Sequence, residues 1–254
     1  MLDDLATVVP ALRAAGPAAI ELLDRSFLDL VQSDVAPGAA AVLLVDFEDD
    51  APDGVPGVAM DREALWALRH AASPALARLP DEQRSLQVIE DGCVPIAQLA
   101  EYIRGVHEAA RAAGVRIVAF GHAGDGHLHV NALADLDQPG MRNRLLGLRD
   151  AVTELVIRLG GTPSGEHGDG RLRADGLERL YGSAMVAAFR AVKAAFDPAG
   201  VLNPGVILPA GPLPPFKGGP EAPALDPAVA QALRDRERDA RWDVPPLSLL
   251  EEPV

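Results

Sequence analysis

The sequence predicts an α+β fold in which an antiparallel sheet is covered by helices. Two observations support this: four short apolar segments alternate with longer segments of helical period, and two of the short segments flank a glycine-rich loop, as in a hairpin. The predicted order is αβαβαββαα. The 254 residues are 48% hydrophobic, which suffices for one core, so we expect a single domain over residues 1–208.

The first half of the chain alternates helices and strands. Gly16 to Gln32 places apolar residues at helical spacing after a proline, which predicts a helix with one buried face. Ala40 to Phe47 is a short apolar run before a Pro/Gly-rich connection and predicts a strand. A second helix is expected over Asp61 to His70, capped by its first aspartate, and a second strand over Ser85 to Glu90.

The second half begins with a strongly amphipathic segment. Pro95 to Gly114 has proline in its first turn and glycine at its end, which predicts a helix. Val115 to Phe120 and His127 to Leu133 predict strands on either side of the glycine-rich loop. Two long helices are expected from about Met141 to Leu159 and from Leu177 to Phe196.

The last part of the chain has a different composition. From Pro209 onward proline and glycine dominate, and no apolar period is left. Residues 209–254 are therefore expected to form a proline-rich linker and a charged tail, with a short helix near Ala228 to Arg241.

Composition excludes several classes of function. With 23 basic and 37 acidic residues, the net charge of −14 disfavours nucleic acid and anionic membranes as partners. The single cysteine, Cys93, rules out an intrachain disulfide and a cysteine-based metal site. No apolar run approaches the roughly 20 residues of a transmembrane helix, and the first residues do not resemble a signal peptide, so a cytoplasmic location is expected. The chain also lacks the nucleotide-binding motifs GxGxxG and GxxxxGK[ST] and the serine hydrolase motif GxSxG.

Two glycine-rich segments carry most of the polar side chains that suit catalysis: GHAGDGHLHVN at residues 121–131 and SGEHGDG at residues 164–170. Alternate residues of a strand share a face, so His127, His129 and Asn131 are expected to point the same way. His122 precedes the bend and can fold back toward them. Asp125 is expected to form the turn or to orient a ligand.

Two imidazoles from this hairpin and a carboxylate such as Glu166 would make a three-ligand metal site with one open position. On spacing alone, ordinary core or loop histidines explain the pattern equally well, because it matches no standard zinc signature. Adjacent side chains rarely bind one ion together, so Glu166 as ligand would leave His167 available as an acid or base. The alternative for His167 is a loop residue held by a backbone hydrogen bond.

Arg69 ends an apolar helix, where an arginine usually extends its guanidinium into water. Its functional interpretation is a bidentate clamp for a substrate carboxylate, with Ser73 adding a hydroxyl donor. Glu90 and Asp91 end a strand before a proline and are expected to lie in a solvated turn.

Five segments give the chain a resemblance to the C-terminal, substrate-side domain of the FAD-linked oxidases. The segments are LWALRHAASP, IEDGCVP, FGHAGDGHLHVN, GGTPSGEHGDGRLR and FDPAGVLNPGVIL. They occur in the order found in this family, which includes D-lactate dehydrogenases, glycolate oxidase subunits and D-2-hydroxyglutarate dehydrogenases. The resemblance covers about residues 16–208 and implies a ferredoxin-like sheet.

The resemblance also implies a site. His122, His129 and Glu166 would bind a divalent ion, and such ligands suit zinc, manganese or iron. His167 would remove the hydroxyl proton of a small 2-hydroxy acid while hydride passes to a flavin. The positions that would hold the substrate are Arg69, Ser73 and Asn131.

The resemblance implies that FAD comes from a missing or partner domain, because nothing in this sequence is similar to the family's glycine-rich pyrophosphate loop. The chain alone is then expected to be inactive. Asn203 is the candidate for a flavin-side contact. Ile89 stands where some members have a substrate-binding lysine, which is closer to lactate-type relatives and to those with an iron–sulfur electron-transfer partner. The alternatives are a non-redox metal-binding module or accessory subunit, and a metallohydrolase with the same three ligands.

Overall fold

The protein is an α+β structure built on an antiparallel sheet covered by helices, as predicted. The computed structural model describes residues 2–209, 216 and 226–239. The strands of the described residues are β1 (Ala19–Asp24), β2 (Ala41–Asp46), β3 (Arg84–Leu86), β4 (Gly92–Cys93), β5 (Arg116–Gly121) and β6 (His127–Ala134). Their order is β2-β1-β5-β6-β3, and β4 pairs with β6 as well. Every pairing is antiparallel.

Eight α-helices accompany the sheet in the described part of the chain. They are α1 (Leu5–Ala14), α2 (Arg25–Leu30), α3 (Arg62–His70), α4 (Ala72–Ala77), α5 (Leu99–Ala113), α6 (Met141–Arg158), α7 (Leu177–Phe196) and α8 (Pro227–Asp239). No helix within the described ranges is long and apolar enough to cross a membrane.

The two faces of the sheet contact different helices. Helices α1, α5 and α6 cover the larger core, to which Leu128 and Val130 of β6 contribute. Helices α2, α3 and α4 cover a smaller core on the other face, which contains Phe120. The ring of His129 contacts Phe120, so β6 alternates between apolar residues on one face and histidines on the other. This alternation brings the histidines to the same face as α3.

The helix predicted over Gly16 to Gln32 is wrong in its first half. Residues 19–24 form strand β1, which pairs with β2 on one side and with β5 on the other. A central strand covered on both faces has apolar residues on both faces and lacks the alternation of a half-exposed strand. The spacing of these residues therefore also matched a helical period. The helix starts only at Arg25, where Asp24 accepts a hydrogen bond from the Phe27 N–H and caps it. Helix α1 and the strand β1 were both missed.

The strand predicted over Ser85 to Glu90 is too long, and the solvated turn predicted at Glu90 and Asp91 is wrong. Pairing with β6 stops at Leu86 and resumes at Gly92. Between them the backbone leaves the ladder, and Asp91 adopts a φ of +83°. Both acidic residues are buried. The sheet of the described residues therefore has six strands, whereas four were predicted.

Helix α4 and the short strand β4 were also not predicted, whereas the other elements follow the predictions closely. Helix α3 begins after Asp61, whose side chain accepts from the Ala64 N–H, and β2, α5, α6 and α7 have nearly the predicted bounds. The hairpin of β5 and β6 is also as predicted. The short charged helix is α8. Most of the predicted linker and tail lies outside the described residues, and the domain boundary at residue 208 stays a prediction.

Candidate metal and substrate site

The three predicted ligands meet at the end of the hairpin. Glu166 Oε1 lies 3.3 Å from His129 Nε2 and 3.7 Å from His122 Nε2. The two imidazole nitrogens are 3.3 Å apart. His122 follows β5, His129 lies in β6, and Glu166 is brought from the loop before α7. The three donor atoms therefore face a common point.

These distances fit a shared ion. Metal–ligand bonds of about 2.0–2.2 Å in a tetrahedral site place the ligand atoms about 3.3–3.6 Å apart. The three separations of 3.3, 3.3 and 3.7 Å agree with this spacing. Two imidazoles and one carboxylate suit zinc, manganese or iron. His127 is a fourth group within reach of the set.

Glycine permits the tight turn between β5 and β6, which carries His122. Gly126 has a φ of +71°, and a Cβ there would lie 2.0 Å from the carbonyl oxygen of Val94. Gly121 is also crowded, because a Cβ there would lie 2.6 Å from the carbonyl oxygen of His127. The close approach of these backbones places His122 and His129 within reach of each other.

Glu21, which sequence analysis did not identify, supports the histidine side of the site. It lies in β1 and is 4% exposed. Its Oε1 is 2.6 Å from His122 Nδ1, and its Oε2 accepts from Arg69 Nε at 2.6 Å. Burial alone would raise the pKa of Glu21, but the hydrogen bonds from His122 and Arg69 outweigh it and lower the pKa below 4.5. The hydrogen bond to Glu21 raises the pKa of His122 above 6.5.

Arg69 does not extend into water as an ordinary helix-end arginine would. Its side chain is 12% exposed, and the guanidinium lies over the ring of Phe120, 4.7 Å from the centroid. In the described residues only its Nε donates a hydrogen bond, to Glu21. The two terminal amino groups are therefore available to a carboxylate.

Asp91 organises the loop that carries Glu166 and His167. Its Oδ1 accepts from the Glu166 N–H at 2.9 Å, and its Oδ2 accepts from the His167 N–H at 3.0 Å. The Ser164 hydroxyl donates to Oδ2 at 2.8 Å, and His127 Nε2 lies 2.9 Å from Oδ1. Burial would raise the pKa of Asp91, yet the hydrogen bonds of the loop lower it below 3.8. A single buried carboxylate thus accepts hydrogen bonds from three residues of the turn, and the Gly165 N–H adds a bond to the backbone carbonyl of Asp91.

His167 lies beside the donor set and is half-exposed. Its Nε2 is 3.1 Å from Glu166 Oε1, and its ring stacks on that of His129 with centroids 5.3 Å apart. Glu90, the neighbour of Asp91, faces both rings: its Oε1 is 3.5 Å from His129 Nδ1, and its Oε2 is 3.5 Å from His167 Nδ1. Glu90 was also missed by sequence analysis.

The other predicted residues lie less close to this centre. Asn131 is buried on β6, and its Oδ1 accepts from the Ser85 hydroxyl at 3.0 Å. Ser73 is exposed on α4 and forms no hydrogen bond with these groups in the described ranges. Asn203 is exposed after α7, with a φ of +45°. None of the three contacts the donor set within the described part of the chain.

Asp125 occupies the turn as predicted: its N–H donates to the carbonyl of His122. Burial raises the pKa of the nearby Cys93 thiol, which donates to the Asp125 carbonyl. A thiol with a raised pKa is a weak nucleophile at neutral pH. Cys93 therefore has the environment of a residue that stabilises the turn and not that of a catalytic nucleophile.

Comparison with known proteins identifies the domain. Residues 55–207 match the family described as FAD linked oxidases, C-terminal domain. The chain is 34% identical over 215 residues to the glycolate oxidase subunit GlcD of Bacillus subtilis, which covers 74% of this chain and 44% of that protein. It is 38% identical over 124 residues to the D-lactate dehydrogenase of Archaeoglobus fulgidus, covering 48% and 27% respectively.

A solved structure shares the fold. The 4-ethylphenol oxidase of Gulosibacter chungangensis, solved with isoeugenol, aligns with a TM-score of 0.55 and 15% identity, over 82% of this chain and 52% of that one. The chain spans less than half the length of its glycolate oxidase relatives, 44% in Bacillus subtilis and 42% in Escherichia coli. The match over residues 55–207 shows that this chain belongs to the FAD-linked oxidase family, as a C-terminal domain of that family.

Proposed function

We propose that this chain is the substrate- and metal-binding half of an FAD-dependent dehydrogenase of small D-2-hydroxy acids such as D-lactate or glycolate. The observation that carries the proposal is the convergence of His122 Nε2, His129 Nε2 and Glu166 Oε1 at 3.3–3.7 Å. Oxidation of a 2-hydroxy acid needs a group that favours the alkoxide, a base beside it and an anchor for the carboxylate. Candidates for all three lie around this point.

When bound, the divalent ion supplies positive charge that lowers the pKa of a hydroxyl, and FAD supplies a hydride acceptor. His167 is the proposed base. Its imidazole is half-exposed, and its Nε2 lies beside the donor set, 3.1 Å from Glu166 Oε1, where it can reach a bound hydroxyl. A positioned base of this kind contributes about 10²–10⁴-fold to the rate.

The anchor for the substrate carboxylate is Arg69, whose terminal amino groups are available while Glu21 holds its Nε edge. Asn131 would add its amide, since its oxygen already accepts from Ser85. Ser73 is the third proposed substrate residue. It is exposed on α4, four positions after Arg69. Its hydroxyl would therefore contact the substrate from the solvent-facing side of the site.

FAD is proposed to come from another domain or subunit. The relatives extend well beyond the matched region, since the match spans only 44% and 42% of the length of two of them. Asn203 is proposed to face that flavin domain, and an iron–sulfur protein is proposed to accept the electrons. The half-exposed Glu166 and His167 leave one side of the site open to such a partner.

Metal binding can be measured on this chain alone. Wild-type chain, stripped with a chelator and titrated with Zn²⁺ or Mn²⁺ by calorimetry, is expected to bind one ion, and His129→Ala is expected to abolish tight binding. His107→Ala is the matched control, because His107 also contacts a buried carboxylate, Asp24, at 2.8 Å but lies outside the cluster. Wild-type chain without stoichiometric binding would end the metal proposal.

The redox role needs the flavin-containing enzyme. In a complex of this chain with its flavin partner, D-lactate or glycolate is expected to bleach the visible absorption of the flavin, and a chelator is expected to prevent it. His167→Gln should slow bleaching by about 10²–10⁴-fold without loss of bound metal. Equal rates in the variant and the wild type would show that His167 is not the base.

A further inference from the structure

Glu21 uses both carboxylate oxygens, each for a different part of the proposed site. Oε1 is 2.6 Å from His122 Nδ1, and Oε2 is 2.6 Å from Arg69 Nε. The side chain is 6% exposed, so water does not compete for either oxygen. The contacts join three elements that are distant in sequence: β1, the end of α3 and the turn after β5.

The contact with His122 determines which ring nitrogen carries the proton. An ionised carboxylate only accepts hydrogen bonds, so the Nδ1 of His122 must be the donor. In the neutral ring, Nε2 then keeps its lone pair. That nitrogen is the one 3.3 Å from His129 Nε2 and 3.7 Å from Glu166 Oε1. Partners of this type orient metal-binding histidines in many proteins.

The contact with Arg69 fixes the other half of the site. Glu21 binds one edge of the guanidinium while Phe120 covers its face. A planar group held at one edge and one face has little freedom left, and its terminal amino groups keep one direction. The same carboxylate therefore constrains both a predicted metal ligand and the predicted carboxylate anchor.

We propose that Glu21 is a positioning residue that fixes the Nδ1–H tautomer of His122 and the orientation of Arg69 together. The inference rests on the proposed function for the roles of those two residues. A glutamine at position 21 has one oxygen and one amide NH₂. If its NH₂ faces His122, the proton moves to Nε2 and blocks the metal-facing nitrogen; if it faces Arg69, two donors oppose each other.

The first test uses the metal-free wild-type chain and needs no variant to fold. Nitrogen NMR of the histidine side chains at alkaline pH, where the rings are neutral, reports which nitrogen carries the proton. His122 is expected to carry it on Nδ1. A proton on Nε2 would overturn the inference, whatever the chain does with metal.

The second test measures the affinity for Zn²⁺ by competition with a chromophoric chelator. Glu21→Gln is expected to weaken binding by about 10–100-fold, as loss of such a partner does elsewhere, and to remove the slow solvent exchange of the Arg69 Nε–H. Asp24→Asn is the matched control. Asp24 is also buried in β1 and also holds a histidine, His107, but does not touch the site. Its Zn²⁺ affinity should equal that of the wild type.

The outcomes separate two failures. A wild-type chain that binds no Zn²⁺ would refute the proposed metal site, while the tautomer of His122 would still decide the role of Glu21. Wild-type chain that binds Zn²⁺ tightly, with Glu21→Gln binding equally well, would refute the role of Glu21 alone. An equal loss of affinity in Glu21→Gln and Asp24→Asn would also refute it, because the effect would then be a general loss of stability.

Discussion

The two sides of the candidate site are built differently. The sheet side carries His129 on β6, within its ladder with β5, and His122 directly after β5, where its carbonyl accepts from the Asp125 and His127 N–H groups. The loop side carries Glu166 and His167, whose side chains are 46% and 42% exposed. One bridge ties the start of the loop to β4, between Thr162 and Cys93. Further along, the loop is held mainly by hydrogen bonds to the buried Asp91.

The difference indicates how sensitive each side is to the loss of a single side chain. On the sheet side, many backbone hydrogen bonds share the task of positioning, so Glu21 adjusts protonation and orientation in a frame that already exists. On the loop side, one carboxylate accepts two backbone N–H groups, a hydroxyl and an imidazole. Loss of that carboxylate leaves four donors without their partner at once, and one of them, His127, is buried, which is costly.

The largest expected effect follows from Asp91→Asn. Asparagine has the same shape and tolerates the φ of +83°, so the backbone can stay as it is. Its NH₂ group, however, must oppose donors that the carboxylate now accepts, and the charge is lost. We expect the free energy of unfolding to fall by about 3–5 kcal/mol, measured by urea denaturation followed by circular dichroism.

Ser164→Ala sharpens this prediction. It removes only one of the hydrogen bonds to Asp91, that of the Ser164 hydroxyl, and leaves the carboxylate and both backbone N–H contacts in place. A loss of about 1–2 kcal/mol is expected. If both variants lost equally little, the loop would not depend on Asp91, and the contrast between the two sides would disappear.

The sequence predicted the sheet side better than its supporting groups. Strand alternation sufficed to put His127 and His129 on one face, because period 2 is a local property. Glu21 was missed since a strand covered on both faces has no alternation, and its segment was assigned to a helix. The only local signal was Glu21 itself, a charged residue with apolar neighbours on both sides in the run AAIELL.

Asp91 was missed for a different reason. A polar pair before glycine and proline is typical of a solvated turn, and only the fold brings the loop of residues 164–168 over it. The partners of Asp91 lie 36 to 76 positions away. Composition and period carry no information about contacts at that distance. The five motifs did imply the ligand set. Members of one family share a fold, so a resemblance to the family carries information about distant contacts that a local sequence pattern does not.

The pH dependence of stability should differ between the two sides in the metal-free chain. The lowered pKa of Asp91 means that its contribution is fully present above the ordinary value of 3.8 and is lost as the pH falls through the folded-state pKa. The raised pKa of His122 acts in the opposite direction. Its contribution is fully present below the ordinary value of 6.5 and is lost as the pH rises through the folded-state pKa.

The free energy of unfolding, measured by urea at a series of pH values, checks this. Asp91→Asn should flatten the acid side of the profile, from about pH 4 downward, and Glu21→Gln should flatten the side above about pH 6.5. Glu21 also has a lowered pKa, so Glu21→Gln should lose part of the acid slope too. An unchanged alkaline slope in Glu21→Gln would mean that the carboxylate does not stabilise the protonated His122.

The smallest expected effect concerns Asp169, a second carboxylate of the loop side with the opposite environment. Its Oδ1 is buried and has no hydrogen-bond partner in the part of the chain that is described. Burial raises the pKa of Asp169 above 3.8, and Arg173 only partly offsets this.

The ionised form of Asp169 therefore opposes folding at neutral pH, and Asp169→Asn should increase the free energy of unfolding by up to about 1 kcal/mol. The gain should vanish at acid pH, where the wild-type carboxyl is protonated. If Asp169→Asn instead destabilised the chain at neutral pH, the ionised Asp169 would stabilise the loop together with Asp91, and the two carboxylates would not have opposite effects on folding.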